Sequence, residues 1–174
     1  MMLKKIARTM AYIGSIITGF YLFASSPGFH KKEKWQHLTG WDYAHRGLHD
    51  NEHGIPENSM AAFQRAVDKG YGIELDVHLT ADNQLVVFHD DTLTRMCGIN
   101  KKISGFLYSY LQQLRLLGTE EGIPLFKDVL ALVDGKVPLI IELKVDGSNQ
   151  NLLCPLVWQL LSGYKGSYCI ESFH

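Results

Sequence analysis

This sequence predicts an α/β fold built on a parallel sheet, and two observations carry that reading. Short runs with the two-residue period of a strand alternate with runs at helical spacing, the order in which parallel strands and their crossover helices succeed one another. Reactive side chains stand at the C-terminal ends of several of these strands, which favours a barrel over an open sheet.

The elements follow in chain order. A strand is predicted over about 42–46, then a helix over 59–69 whose Ala62, Phe63, Ala66 and Val67 fall at helical spacing. Asn58 or Ser59 serves as its N-cap and Gly70 as its stop. Strands are predicted over 72–79 and 84–89, joined by a tight turn at Asp82-Asn83. An irregular segment from Met96 to Gly122 carries Tyr108, Tyr110, Leu111, Leu114, Leu116 and Leu117; it reads as a small helical excursion whose apolar residues form local core rather than a lipid-binding surface. A helix over about 125–133, a strand over 137–144, a helix over 151–162 and a strand over 167–172 complete the order.

In Ile73 to Val77 the strand period turns Ile73, Leu75 and Val77 one way and Glu74 and Asp76 the other. Two carboxylates on one face repel unless a cation or a proton relieves them, and a hard divalent metal would satisfy both. The alternative is an edge strand with a solvated polar face. Glu142, after the apolar run V-P-L-I-I, repeats the pattern, and His45 and His89 also follow short apolar stretches. An all-oxygen set of Glu74, Asp76 and Glu142 suits Mg²⁺ or Ca²⁺ rather than zinc, and Cys97, Cys154 and Cys169 form no C-x-x-C pair.

Six short motifs then occur in order: His45-Arg46-Gly47, Pro56-Glu57-Asn58-Ser59, Glu74-Leu75-Asp76-Val77, Val87-Phe88-His89-Asp90, Leu93-Thr94-Arg95 and Ile141-Glu142-Leu143-Lys144. From Trp41 onward the chain resembles the glycerophosphodiester phosphodiesterases. The resemblance implies a (β/α)8 TIM-type barrel that hydrolyses glycerophosphodiesters, such as deacylated phospholipids, to sn-glycerol 3-phosphate and an alcohol. It also implies a divalent cation at Glu74, Asp76 and Glu142, an acid and base pair in His45 and His89, and phosphate contacts from Arg46 and Lys144. Asp90 and Asp91 read as turn formers, while Glu57 could bond polar groups near the metal. A phospholipase D-like lyase on lysolipids or sphingolipids is the alternative of the same chemistry, and an inactive membrane-tethered remnant or binding module the alternative of a different kind.

The domain predicted over 41–174 has about 130 residues, where such a barrel needs ~250, and about five strands of eight are recognisable. The expectation is therefore an incomplete barrel domain. Ahead of it lie a basic region at 1–9, an apolar membrane anchor or signal segment at 10–28 and a polar linker at 29–40. The apolar run from Met10 to Ala24 falls short of the ~20 residues usual for a span, and Leu22-Phe23-Ala24 is a poor cleavage signal. An uncleaved single-pass anchor is preferred to a cleaved, secreted form or a buried soluble helix. Lys4, Lys5 and Arg8 would keep the N-terminus cytoplasmic and send the catalytic region outward. With 17 basic and 18 acidic residues the chain shows no nucleic-acid footprint. An odd set of three cysteines leaves the redox compartment open.

Overall fold

The computed structural model describes residues 2–26 and 35–173, and the chain divides into two units, Met1–Gln36 and His37–His174. In the first, one helix, α1 (Met2–Ser25), carries an apolar stretch from Lys4 to Ser25 that is long and apolar enough to cross a membrane. Its 22 residues would extend about 33 Å against a hydrocarbon core of about 30 Å. The helix exceeds the predicted apolar run because Lys4, Lys5 and Arg8, all good helix formers, join it from the N-terminal side. Pro27 and Gly28, at the end of the predicted anchor, and residues 29–34 of the linker lie outside the described residues.

The second unit is an α/β layer. Its elements are β1 (Tyr43–His45), α2 (Met60–Lys69), β2 (Gly72–Leu79), β3 (Leu85–Val87), α3 (Thr94–Cys97), α4 (Tyr108–Leu111), α5 (Phe126–Val133), β4 (Leu139–Leu143), α6 (Gln150–Leu161) and β5 (Tyr168–Glu171). The parallel strands run in the order β1-β2-β4-β5, with Asp76 directly beside Glu142 and Glu142 beside Glu171. The remaining strand leaves the parallel series, as the predicted tight turn requires: β3 is antiparallel to the C-terminal end of β2, pairing Val77 with Val87 and Leu79 with Leu85. The Asp82-Asn83 turn makes the two a hairpin arm, with Asn83 at φ 61°.

Strand periodicity sorts the two faces of the sheet. Ile73, Leu75, Val77, Leu139, Ile141 and Leu143 join Phe63, Ala66, Phe126, Val129, Val133, Leu153 and Val157 in one buried cluster, so α2, α5 and α6 cover one side. Phe63 and Phe126 are wholly inaccessible, and truncating either to alanine should cost about 3–5 kcal/mol. The other face carries Glu74, Asp76, His78, Glu142 and Lys144. Helix α2 starts where Ser59 Oγ accepts the Ala62 amide at 3.1 Å, which settles the cap on Ser59, and stops at Gly70 in the left-handed region.

The excursion predicted from Met96 to Gly122 begins two residues earlier, with α3, and folds as short helical turns around a second cluster of Phe88, Leu93, Met96, Ile103, Leu111 and Leu116. Local core is thus its main use, although Tyr110 and Leu117 remain exposed. Asp146, just past β4, fastens the excursion by accepting from Lys102 Nζ at 2.7 Å and Ser104 Oγ at 2.8 Å.

Candidate active site

Each chemistry-bearing residue is delivered by a strand end or by the turn that follows it. After His45 the chain turns sharply, with Arg46 at φ 58° and Gly47 at φ 78°. A Cβ on Gly47 would sit 3.0 Å from the backbone carbon and Cβ of Ala62, so only glycine lets this turn lie against α2. The turn aims the Arg46 amide at Glu74 Oε2, 2.9 Å away, while the Arg46 carbonyl accepts the Asn58 amide at 2.9 Å.

Glu74, Asp76 and Glu142 come together as the sequence predicted, each offering an oxygen within 4.8 Å of the others. Asp76 and Glu142 are buried, and Glu74 is nearly so. Burial first, then the charges of Asp76 and Glu142, push the Glu74 carboxyl up to about 7. Lys144 Nζ lies 2.9 Å from Asp76 Oδ1 and 2.7 Å from Glu142 Oε1; burial opposes its charge, but the two carboxylates raise its pKa. Arg46 is shared between Glu57, at 2.9 Å, and Asp76, at 3.7 Å. The two predicted phosphate contacts are thus both ion-paired to acids at the floor of the site.

Among the described residues, the buried side-chain atoms without a hydrogen bond are Arg46 Nε, Asn58 Oδ1 and Asp76 Oδ1, and all three belong to this site. Lys144 is close to Asp76 Oδ1, but off the angle a hydrogen bond needs. Buried polar atoms are rarely left so, and orphaned oxygens beside clustered carboxylates fit a hard divalent cation. The donor set therefore suits Mg²⁺ or Ca²⁺.

Of the two histidines, His45 lies beside the acids. His45 Nε2 is 3.8 Å from Glu74 Oε2, its ring is exposed, and partial desolvation followed by the Arg46 charge lowers its pKa. His89 Nδ1 lies 2.7 Å from Asp90 Oδ1. Burial opposes ionisation of Asp90, but hydrogen bonds from Arg95 and His89 hold it at about 2, so at neutral pH it only accepts and His89 Nδ1 is the donor. The lone pair of the neutral ring is then on Nε2.

Asp90 is therefore no mere turn former. Reading it as one missed that the chain folds back through Arg95, whose Nε lies 2.8 Å from Asp90 Oδ2. Glu57 lies where the sequence suggested, near the polar cluster, accepting from Arg46 and Arg95. Asn58, a candidate cap, instead donates Nδ2 to Asp76 Oδ2 at 2.8 Å from a left-handed backbone. His78, on the acidic face of β2, is buried with Nε2 3.3 Å from the His89 carbonyl; no sequence signal separated it from the chain's other histidines.

Residues 45–160, more than half of the chain, match the model of the glycerophosphoryl diester phosphodiesterase family. Lysophospholipase D GDPD1 of Rattus norvegicus is 35% identical over 165 residues, covering 87% of this chain and 50% of that protein. A glycerophosphodiester phosphodiesterase of Bacillus altitudinis is 36% identical over 113 residues, covering 61% of this chain and 45% of its own length. Among solved structures, an Oleispira antarctica phosphodiesterase in complex with the product sn-glycerol-3-phosphate aligns at a TM-score of 0.71 and 25% identity, covering 79% of this chain and 59% of that one. A glycerophosphodiester phosphodiesterase from Parabacteroides distasonis aligns at 0.65 and 33%, covering 77% and 56%. This chain thus spans about half the length of the curated relatives it matches. The likeness places its α/β sheet in the TIM-barrel class.

Proposed function

Because the chain belongs to the glycerophosphoryl diester phosphodiesterase family, we propose that it hydrolyses glycerophosphodiesters to sn-glycerol 3-phosphate and an alcohol. The observation that carries this reading is the meeting of three strand-borne carboxylates with unbonded buried oxygens at one point. A phosphodiester resists attack because its anionic oxygens repel a nucleophile, so a site that cleaves it must concentrate positive charge. Glu74, Asp76 and Glu142 would hold Mg²⁺ or Ca²⁺, which when bound supplies Lewis-acid charge to the phosphate oxygens.

The chain's own residues perform the rest. Arg46 and Lys144, held on the acids, present guanidinium and ammonium charge to the phosphate and keep it in register with the carboxylate floor. His45 and His89 form the proton-transfer pair: one accepts the proton of the attacking hydroxyl, from water or the glycerol 2-OH, and the other delivers a proton to the leaving alkoxide. Asp90 fixes the tautomer of His89, so that Nε2 is the atom that takes or gives the proton.

One observation favours a second reading. A relative aligned over 87% of this chain is named a lysophospholipase D, so a lysolipid, which keeps one acyl chain, is the alternative substrate. Helix α1 would serve as a membrane anchor, with Lys4, Lys5 and Arg8 keeping its start cytoplasmic and the catalytic unit on the other side. Retention in the pellet after alkaline carbonate extraction, with the catalytic unit open to protease from outside, supports that placement; release by carbonate or protection from protease contradicts it.

Incubating the chain with Mg²⁺ and either glycerophosphocholine or lysophosphatidylcholine separates the substrates. Choline with sn-glycerol 3-phosphate from the first supports the main reading, whereas choline with lysophosphatidic acid from the second alone supports the alternative. A cyclic phosphate in place of either would identify a lyase, and no turnover of either would favour an inactive module.

A further inference from the structure

The guanidinium of Arg95 is shared between two carboxylates from different parts of the chain. Nε and Nη2 lie 2.8 and 2.9 Å from the two oxygens of Asp90, and Nη2 and Nη1 lie 2.7 and 2.9 Å from the two oxygens of Glu57. Each carboxylate also takes a second donor, on the same oxygen that accepts Arg95 Nη2. Asp90 Oδ1 takes His89 Nδ1 at 2.7 Å, and Glu57 Oε1 takes Arg46 Nη1 at 2.9 Å. The result is an unbroken chain of charged contacts, His89-Asp90-Arg95-Glu57-Arg46, in which no link exceeds 2.9 Å. A planar fork with five donors can serve two carboxylates at once; an ammonium acts as a single point charge and cannot reproduce both bidentate pairs.

Resting on the roles given above to His89 and Arg46, we propose that Arg95 is a positioning residue that fixes the proton-bearing ring and the phosphate-facing guanidinium in one frame. It does so through the carboxylates without touching the substrate. The chain joins the turn after β1 to the loop after β3, two segments that no strand pairing connects. Without Arg95, Asp90 is free to rotate away from His89 Nδ1, and Glu57 holds Arg46 alone. The ring then exchanges between tautomers, and Nε2 no longer stands ready for the proton. Arg95 also donates to Met96 Sδ at 3.2 Å, a contact on its own helix that could serve stability alone.

Two measurements on the full chain separate positioning from simple support. Long-range proton–nitrogen NMR of the imidazole rings should show His89 in the wild type as one Nδ1–H tautomer. Arg95→Gln, and also Arg95→Lys, should show a mixture, with thermal melts confirming that each variant is folded. In Mg²⁺-dependent hydrolysis of glycerophosphocholine, both variants should lose kcat on the order of 100-fold with KM nearly unchanged. Arg95→Lys, which keeps the charge and the stem, is the variant that decides should Arg95→Gln fail to fold. A single Nδ1–H tautomer in a folded variant, or a loss confined to thermal stability, overturns the proposal. The NMR result stands whether or not the wild type turns over glycerophosphocholine, so a failure of the proposed activity is distinguishable from a failure of this role.

Discussion

Asn58 Nδ2 donates to Asp76 Oδ2 across 2.8 Å, binding the turn ahead of α2 to the buried acid of β2. Asn58 reaches this acid only because its backbone is left-handed, at φ 54°, a conformation that asparagine tolerates better than most residues. Asn58→Gly should lose the charged hydrogen bond alone, about 1.5–3 kcal/mol, and Asn58→Ala should lose about 1 kcal/mol more through strain. Urea unfolding of the two variants checks the order; an alanine variant as stable as the glycine variant would contradict it.

Gly47→Ala should be costlier than an ordinary turn substitution. The added Cβ would meet the Ala62 backbone at 3.0 Å and the Phe63 ring at 3.0 Å, at a φ of 78° that also strains alanine. A loss of about 2 kcal/mol or more is expected, together with weaker activity, because Arg46 precedes this turn. Denaturant midpoints read the first effect and turnover the second.

Glu57 ties stability to pH. Burial works against its ionisation, but the hydrogen bonds and charges of Arg95 and Arg46 lower it from 4.5 to about 2. Because the folded state binds this proton less tightly than the unfolded chain, the stabilisation is fully present above the unfolded value of 4.5 and is lost as pH falls toward 2. The shift corresponds to about 3 kcal/mol. Stability of the wild type should therefore fall steeply across that window, and Glu57→Gln should be weaker at neutral pH with a flatter acid limb. Equal slopes in the two proteins would exclude this source of acid sensitivity.

The three carboxylates within 4.8 Å repel one another on the acidic face of the sheet. Glu74→Gln keeps an oxygen to accept the Arg46 amide while removing one charge, so it should be more stable than the wild type in EDTA. In return it should gain less from Mg²⁺ or Ca²⁺, where a ligand at 100 times its Kd contributes about 2.7 kcal/mol to the wild type. Melting curves with and without cation test both halves, and a variant that gains as much as the wild type would remove Glu74 from the ligand set.

Strand β2, helix α2 and the convergence of Glu74, Asp76 and Glu142 were legible because each rests on local period or on local punctuation, such as Ser59 and Gly70. The antiparallel course of β3 was legible only through the Asp82-Asn83 turn, since a tight turn joins antiparallel neighbours whereas a short apolar run looks the same in either direction. Asp90 looked like a turn residue because its partner Arg95 is brought to it by the fold of α3, not by spacing along a strand. The same holds for Asn58, whose sequence context equally suits a cap. Tyr110 and Leu117 are exposed although apolar neighbours such as Leu111 and Leu116 are buried, a distinction that no regular period encodes in so irregular a segment.

The direct test of the catalytic account is the rate at which the full chain releases sn-glycerol 3-phosphate from glycerophosphocholine in the presence of Mg²⁺ or Ca²⁺, compared among wild type, His45→Ala and His89→Ala. Cation-dependent release by the wild type and a loss on the order of 100-fold or more in each variant are expected. Release by either variant at close to the wild-type rate would contradict it.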